Sequence, residues 1–162
     1  MENNIPRIIL VGHGACGKDY MRKIYQSRGF RYSKSHTTRP MREDEIQGKD
    51  YHFVSIEEFQ KMIADDKMYE FNEFNGWFYG TSKEEFYKSN IIVTNPAGVN
   101  SLSEEDRKNS VVIFLDIDID IRRERLKNRT MPGDTADRRI QSDIEDFKNF
   151  TNYDIRITNG DF

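Results

Sequence analysis

Arg7-Ile8-Ile9-Leu10-Val11-Gly12-His13-Gly14-Ala15-Cys16-Gly17-Lys18-Asp19 is the stretch that decides the fold. Its first five residues are an apolar, β-branched run, the pattern of a buried parallel strand. From Lys18 to Arg28 the apolar residues Tyr20, Met21, Ile24 and Tyr25 fall at the spacing of one helix face. The glycines therefore lie at a strand-to-helix turn. In that context they let backbone N–H groups converge on phosphate oxygens, the helix N-terminus adds its dipole, and Lys18 can reach the β and γ phosphates. Gly12, His13, Gly14, Ala15, Cys16, Gly17, Lys18 and Asp19 are thus predicted to cradle a donor nucleotide. The hydroxyl that usually follows the lysine and binds Mg²⁺ is replaced by Asp19. Two readings stand for it: a carboxylate that holds Mg²⁺ directly or through water, or an acidic first-turn residue favoured by the helix dipole.

A second anion-gripping segment, Ser35-His36-Thr37-Thr38-Arg39-Pro40-Met41-Arg42, follows the first helix. One phosphate cradle implies nucleotide binding. Two imply a phosphoryl donor and a phosphorylated acceptor, the layout of a nucleotide kinase.

The 162 residues fit one domain with a full three-layer core. Hydrophobic residues make up 36% and charged residues 33%, so much of the helix surface is expected in water. A formal net charge of −3 without a basic tail argues against a general nucleic-acid binder. No apolar run has the length of a membrane span, and the N-terminus has no signal-peptide core, so no membrane partner is expected. Cys16 is the only cysteine, which excludes an internal disulfide and suits a cytoplasmic location. It is read as a small residue that fits the loop. His13, His36 and His52 have no metal-ligand spacing and are read as packing or local hydrogen bonding.

Further along, Tyr51 to Val54 reads as a strand, and Ser55 with Glu58 makes a capping box before a helix from Ile56 to Asp65. Met68 to Phe74 and Trp77 to Tyr79, separated by Asn75-Gly76, have the signature of a hairpin. Core elements resume with Ile91 to Val93, Val111 to Leu115 and a helix from Ile119 to Arg129. A break at Thr130 to Asp134 precedes a helix from Ala136 to Phe150 and a last strand, Tyr153 to Ile157. Strands alternating with helices predict an α/β fold: a three-layer P-loop NTPase parallel sheet (residues 1–32 and 89–162), interrupted by a small mixed subdomain at about 33–88.

These residues resemble the guanylate kinase family across nearly the whole chain. The likeness is densest at Thr37-Thr38-Arg39-Pro40, Arg42, Glu45, Gly48 and Asp50-Tyr51, and continues through Glu70 and Tyr79-Gly80-Thr81-Ser82. It implies a core, a nucleoside-monophosphate (NMP) binding subdomain and a short lid at about 129–137, with ATP and Mg²⁺ as donor and cofactor and GMP or dGMP as acceptor. Ser35, Arg39, Arg42, Tyr51, Glu70, Tyr79, Thr81 and Asn95 would bind the acceptor, and Lys18, Arg42, Arg129 and Arg139 would serve catalysis, with Arg138 as a substitute for Arg139. Chemistry gives reasons for this set. Two guanidiniums and two phenols suit a phosphate dianion. The acceptor-only carboxylate of Glu70 suits the adjacent N1–H and N2–H donors of guanine, and Ser35 and Thr81 can supply hydroxyls to O6 and N7. Pro132-Gly133 marks a loop that closes over the donor and excludes water.

Two departures qualify the likeness. Val93-Thr94-Asn95-Pro96 stands where the family carries acidic residues, which removes a carboxylate from the acceptor pocket and a Walker-B-like charge. Asp118, after a later strand, is read as a helix cap. The chain also ends at Phe162 where the family adds a helix, in keeping with a compact viral or phage version and with either a monomer or a homodimer. Gly-Lys-Asp is shared with phage-type deoxynucleotide kinases and phosphomevalonate kinase. The alternatives are therefore a phage-type kinase for another nucleoside monophosphate, and a guanylate-kinase-like binding domain without catalysis.

Overall fold

The computed structural model describes residues 5–74, 76–127 and 136–162. In chain order come β1 (Arg7–Gly12), α1 (Lys18–Ser27), β2 (His36–Thr37), β3 (His52–Phe53), α2 (Ile56–Ala64), β4 (Met68–Phe74), β5 (Trp77–Ser82) and α3 (Lys83–Lys88). Then follow β6 (Ile91–Thr94), α4 (Pro96–Asn100), α5 (Glu104–Lys108), β7 (Ser110–Leu115), α6 (Ile119–Lys127), α7 (Ala136–Phe147) and β8 (Ile155–Ile157). Two compact units result: one from the stretches up to Gly29 and from Ile91 onward, the other from Phe30–Asn90.

The first unit is an α/β layer. Its sheet runs β6-β1-β7-β8, with every pair parallel. β1 lies between β6 and β7, which explains its unbroken apolar run: Ile9, Leu10 and Val11 are buried, as are Ile91, Val112 and Leu115 beside them. Each such side chain contributes about 1.5–3 kcal/mol by leaving water. The helix face expected of α1 is split. Met21 and Tyr25 form the half-buried stripe, whereas Tyr20 and Ile24, one stripe around, are 53% and 38% exposed. Tyr20 instead stacks on Phe162 at 5.7 Å between ring centroids.

Several boundaries differ from the sequence reading for visible reasons. α7 ends at Phe147 because Phe147 and Phe150 turn inward to pack with Phe114 and Tyr153. β8 starts only at Ile155, since the Asp154 side chain takes the Val112 N–H (2.8 Å) and pairs with Arg107 (2.9 Å). α6 is described to Lys127, so Arg129 and the Pro132-Gly133 break lie outside the described residues. Asp118 caps α6, its carboxylate accepting the Asp120 N–H at 2.8 Å. Three short helices, α3, α4 and α5, were not anticipated. Each opens on a side-chain cap, from Ser82, Asn95 and Ser103 respectively.

In the second unit the sheet order is β3-β2-β5-β4. β2 and β3 are parallel, and the other two pairs are antiparallel. The Ser55–Glu58 capping box opens α2, whose Phe59 is fully buried and stacks on Phe78. Among the described residues no helix is long and apolar enough to cross a membrane.

Candidate active site

The phosphate loop is set by two close-packed positions. A Cβ at Gly12 would meet Cys16 Sγ at 2.6 Å and the Leu115 carbonyl at 2.7 Å, so only glycine lets the loop leave β1 here. Gly17, the residue before α1, has φ +101°, and a Cβ there would strike the Phe162 ring at 2.2 Å. Between them Ala15 also takes the left-handed region, at φ 60°. Cys16 is fully buried, as befits a small residue that fills the loop. The Lys18 ammonium donates to the carbonyls of Gly12 and His13, the latter at 2.9 Å, so the charge is held within the loop. His13 is buried against Phe147 and Phe114. Burial, seconded by Arg122, pushes its pKa below the ordinary histidine value, so the imidazole is neutral at neutral pH.

Asp19 lies on the exposed side of α1. One carboxylate oxygen accepts from Arg22, the other pairs with Lys23 at 3.1 Å. Burial pushes its pKa up, but these partners outweigh that and hold it below the usual carboxylate range. Both oxygens thus face cations of the same helix, the arrangement of a first-turn acid, and as it stands this does not fit a metal ligand. Among the described residues no group of three His, Cys, Asp or Glu could hold a metal ion.

Of the residues predicted to bind the acceptor, Glu70, Tyr79 and Thr81 share one face of the second unit's sheet. Partners across neighbouring strands share a face, and the register pairs Thr37 with Phe53 and Tyr79, Asn72 with Tyr79, and Glu70 with Thr81. The pairing runs unbroken from Phe74 opposite Trp77 to Glu70 opposite Thr81, so alternation places Phe74, Asn72 and Glu70 on this face; a β-bulge beyond Glu70 turns Met68 to the other one. Burial pushes the Glu70 pKa up, partly offset by hydrogen bonds with Thr81.

Arg39 forms the other end of this face. It is 7% exposed, and its guanidinium makes a two-pronged ion pair with Glu45 at 2.6 and 3.0 Å. It also lies 5.5 Å over the Tyr51 ring and 5.6 Å over Phe53. Tyr51 and Tyr79 meet edge to face at 6.3 Å, and burial raises the Tyr51 pKa, keeping the phenol a donor. Thr37 and Thr38 clip this segment to β5: Thr37 donates to the Phe78 carbonyl and Thr38 accepts the Phe78 N–H, both at 2.9 Å. Arg42 is exposed, and its backbone N–H donates to Glu45 at 2.8 Å. Ser35 leads into β2, its carbonyl accepting the His52 N–H.

Not every predicted residue joins these two groups. Asn95 belongs to the first unit, where its side chain caps α4 by accepting the Gly98 N–H at 2.8 Å. Arg139 is half-buried on α7 and Arg138 is exposed. Arg129 lies outside the described residues. The His36 and His52 rings lie 4.5 Å apart, tilted by 30°, and His52 pairs with Glu85 at 2.9 Å, on the sheet face opposite Tyr79. A cavity of about 470 Å³ opens on that opposite side, lined by His36, His52 and Glu85, and none of the predicted site residues lines it. Two residues of the acceptor face had no role in the sequence reading. Glu45 could be suspected from its place three residues after Arg42, and Asn72 from its place two residues after Glu70, where alternation along the strand puts it on the same face.

The family model described as guanylate kinase matches residues 5–162. The chain is similar to the guanylate kinase of Lactobacillus delbrueckii subsp. bulgaricus, at 30% identity over 94% of this chain and 79% of that protein. It is also similar to the guanylate kinase of Wigglesworthia glossinidia brevipalpis, at 37% identity over 82% and 68% of the two chains. Among solved structures, guanylate kinase from Anaplasma phagocytophilum superposes with a TM-score of 0.73 at 23% identity, over 98% of this chain and 79% of that one. The chain belongs to the guanylate kinase family.

With that membership the chain is a nucleoside monophosphate kinase with an α/β P-loop fold. The glycine-rich loop and the face bearing Arg39, Tyr51, Glu70, Tyr79 and Thr81 are built by different units, the loop by the first and the face by the second.

Proposed function

We propose that the protein transfers the γ-phosphoryl group of ATP to GMP or dGMP by in-line displacement. The observation that carries the acceptor assignment is the strand register that pairs Glu70 with Thr81 on the face of Tyr79. A carboxylate there accepts the N1–H and N2–H of guanine, and a site built on such pairs rejects bases that cannot complete them. The acceptor phosphate binds Arg39, Arg42, Tyr51 and Tyr79. Glu45 fixes the Arg39 guanidinium, so its fork loses little freedom on binding. The ATP phosphates bind the loop from Gly12 to Lys18, and Lys18 leaves its loop carbonyls to meet the β and γ oxygens. Arg139, half-buried on α7, adds positive charge toward the moving phosphoryl group. Mg²⁺ accompanying ATP would neutralise charge on the β and γ phosphates; such an ion needs few protein ligands, and Asp19, paired with Arg22 and Lys23, is not assigned to it.

The test is product formation from ATP and a panel of ribo- and deoxynucleoside monophosphates, with Lys18→Ala as control. Conversion confined to GMP or dGMP supports the proposal. Preference for another monophosphate overturns the pocket reading, and no transfer to any of them favours a binding domain.

A further inference from the structure

The loop residue Gly14 donates its backbone N–H to the Asp143 carboxylate of α7 at 2.7 Å, a contact between residues 129 positions apart. The same carboxylate oxygen lies 3.7 Å from Arg122 Nη1 on α6. Arg122 is 5% exposed, its Nε donates to the Ile117 carbonyl at 3.0 Å, and its Nη1 has no hydrogen-bond partner among the described residues. A buried guanidinium and a nearly buried carboxylate add little net stability compared with apolar residues of the same size. What they add is position. The Gly14 N–H is the entry to the turn in which Ala15 and Gly17 take left-handed backbone, so fixing that peptide fixes the approach to the phosphate cradle.

On α7, Arg139 precedes Asp143 by four residues and therefore shares its face, one turn away. One carboxylate thus ties the phosphate loop to the helix face that carries Arg139. We propose that Asp143, held by Arg122, is a positioning residue for the ATP phosphates, keeping the loop in its binding conformation and Arg139 in register with it. This rests on the reading of the loop as the ATP site. None of the acceptor residues on the second unit's sheet is involved.

The experiment measures affinity for a non-hydrolysable ATP analogue, together with kcat and the KM for each substrate, in Asp143→Ala and Asp143→Asn. With Asp143→Ala the analogue is expected to bind about tenfold more weakly, kcat to fall, and KM for GMP to stay within about twofold. Asn keeps an oxygen for the Gly14 N–H but not the charge facing Arg122, so Asp143→Asn should fall between wild type and Asp143→Ala. It decides the matter alone if the alanine variant does not fold. A merely structural Asp143 would lower the melting temperature and leave analogue affinity of the folded variants unchanged; that result overturns the proposal. Tighter analogue binding overturns it as well, because the carboxylate would then compete with phosphate. A wild-type protein that binds the analogue but phosphorylates no monophosphate removes the proposed activity and leaves this inference to stand or fall on the binding data.

Discussion

Glu70→Gln separates recognition from folding. A carboxylate facing guanine N1–H and N2–H makes two charge-assisted hydrogen bonds, each worth about 1.5–3 kcal/mol. Glutamine keeps one acceptor and turns an NH₂ toward the other donor, so about 2–4 kcal/mol of acceptor binding is lost. At 1.36 kcal/mol per factor of ten, kcat/KM for GMP should fall about 30- to 900-fold, with affinity for ATP unchanged. Stability should move the other way. Burial raises the Glu70 pKa, so the fold favours the protonated acid, and the charged form weakens the fold as pH rises from the unfolded value of 4.5 through the folded one. Glutamine resembles the protonated acid; the variant should therefore be as stable as wild type or more so at pH 7, with the difference vanishing below pH 4.5. Steady-state kinetics and denaturant unfolding at the two pH values check both halves. A kcat/KM for GMP within threefold of wild type in a folded variant would refute the assignment of Glu70.

Glu45→Ala strips the partner from a buried guanidinium and should cost about 2–3 kcal/mol in denaturant unfolding while raising KM for GMP; unchanged stability would mean that Arg39 finds another partner. The Glu45 pKa is held down by its hydrogen bonds with Arg39, so its contribution is present above pH 4.5 and is lost as pH falls through the folded value. His36 also weakens the fold in acid, over a window that begins higher: burial, then neighbouring His52, lowers its pKa from 6.5 to about 4, so stability is full above pH 6.5 and is lost as pH falls toward 4. His36→Gln should flatten unfolding free energy against pH across that window, and an unaltered slope would count against it. Asp19→Ala should leave the Mg²⁺ dependence of the rate unchanged, because both carboxylate oxygens face Arg22 and Lys23; a shifted Mg²⁺ optimum would return the residue to the metal.

Where physical signals are local, the sequence reading and the structure agree. The run from Ile8 to Val11 is apolar because β1 is an inner strand of a parallel sheet with side chains buried on both faces, and the glycines after it are demanded by the clash at Gly12 and the positive φ at Gly17. The Ser55–Glu58 box and the Asp118 cap are likewise contained within four residues. The acceptor face is different in kind. Glu70 and Tyr79 are named through the family resemblance, and alternation along the expected hairpin gives the face they share; what a strand pattern of period two does not reveal is the bulge beyond Glu70 that turns Met68 away.

Asp143 and Arg122 mark a further limit. Each sits in a charged helix where a carboxylate or guanidinium ordinarily reads as a solvated side chain, and both are nevertheless turned inward, at 19% and 6% side-chain exposure. Nothing within a helical turn of either residue specifies that burial. Asp143 is met there by the Gly14 N–H, a backbone donor in a loop far along the chain, and Arg122 by the Ile117 carbonyl. Backbone donors carry no signature in side-chain pattern, so a carboxylate recruited by one is found only after the helix and loop have been placed. The same holds in reverse for the loop: its residue types announce that it can bind phosphate, whereas the group that holds its entry peptide is recorded in α7. A variant at Asp143 therefore probes a part of the phosphate site that no motif within residues 12–19 contains.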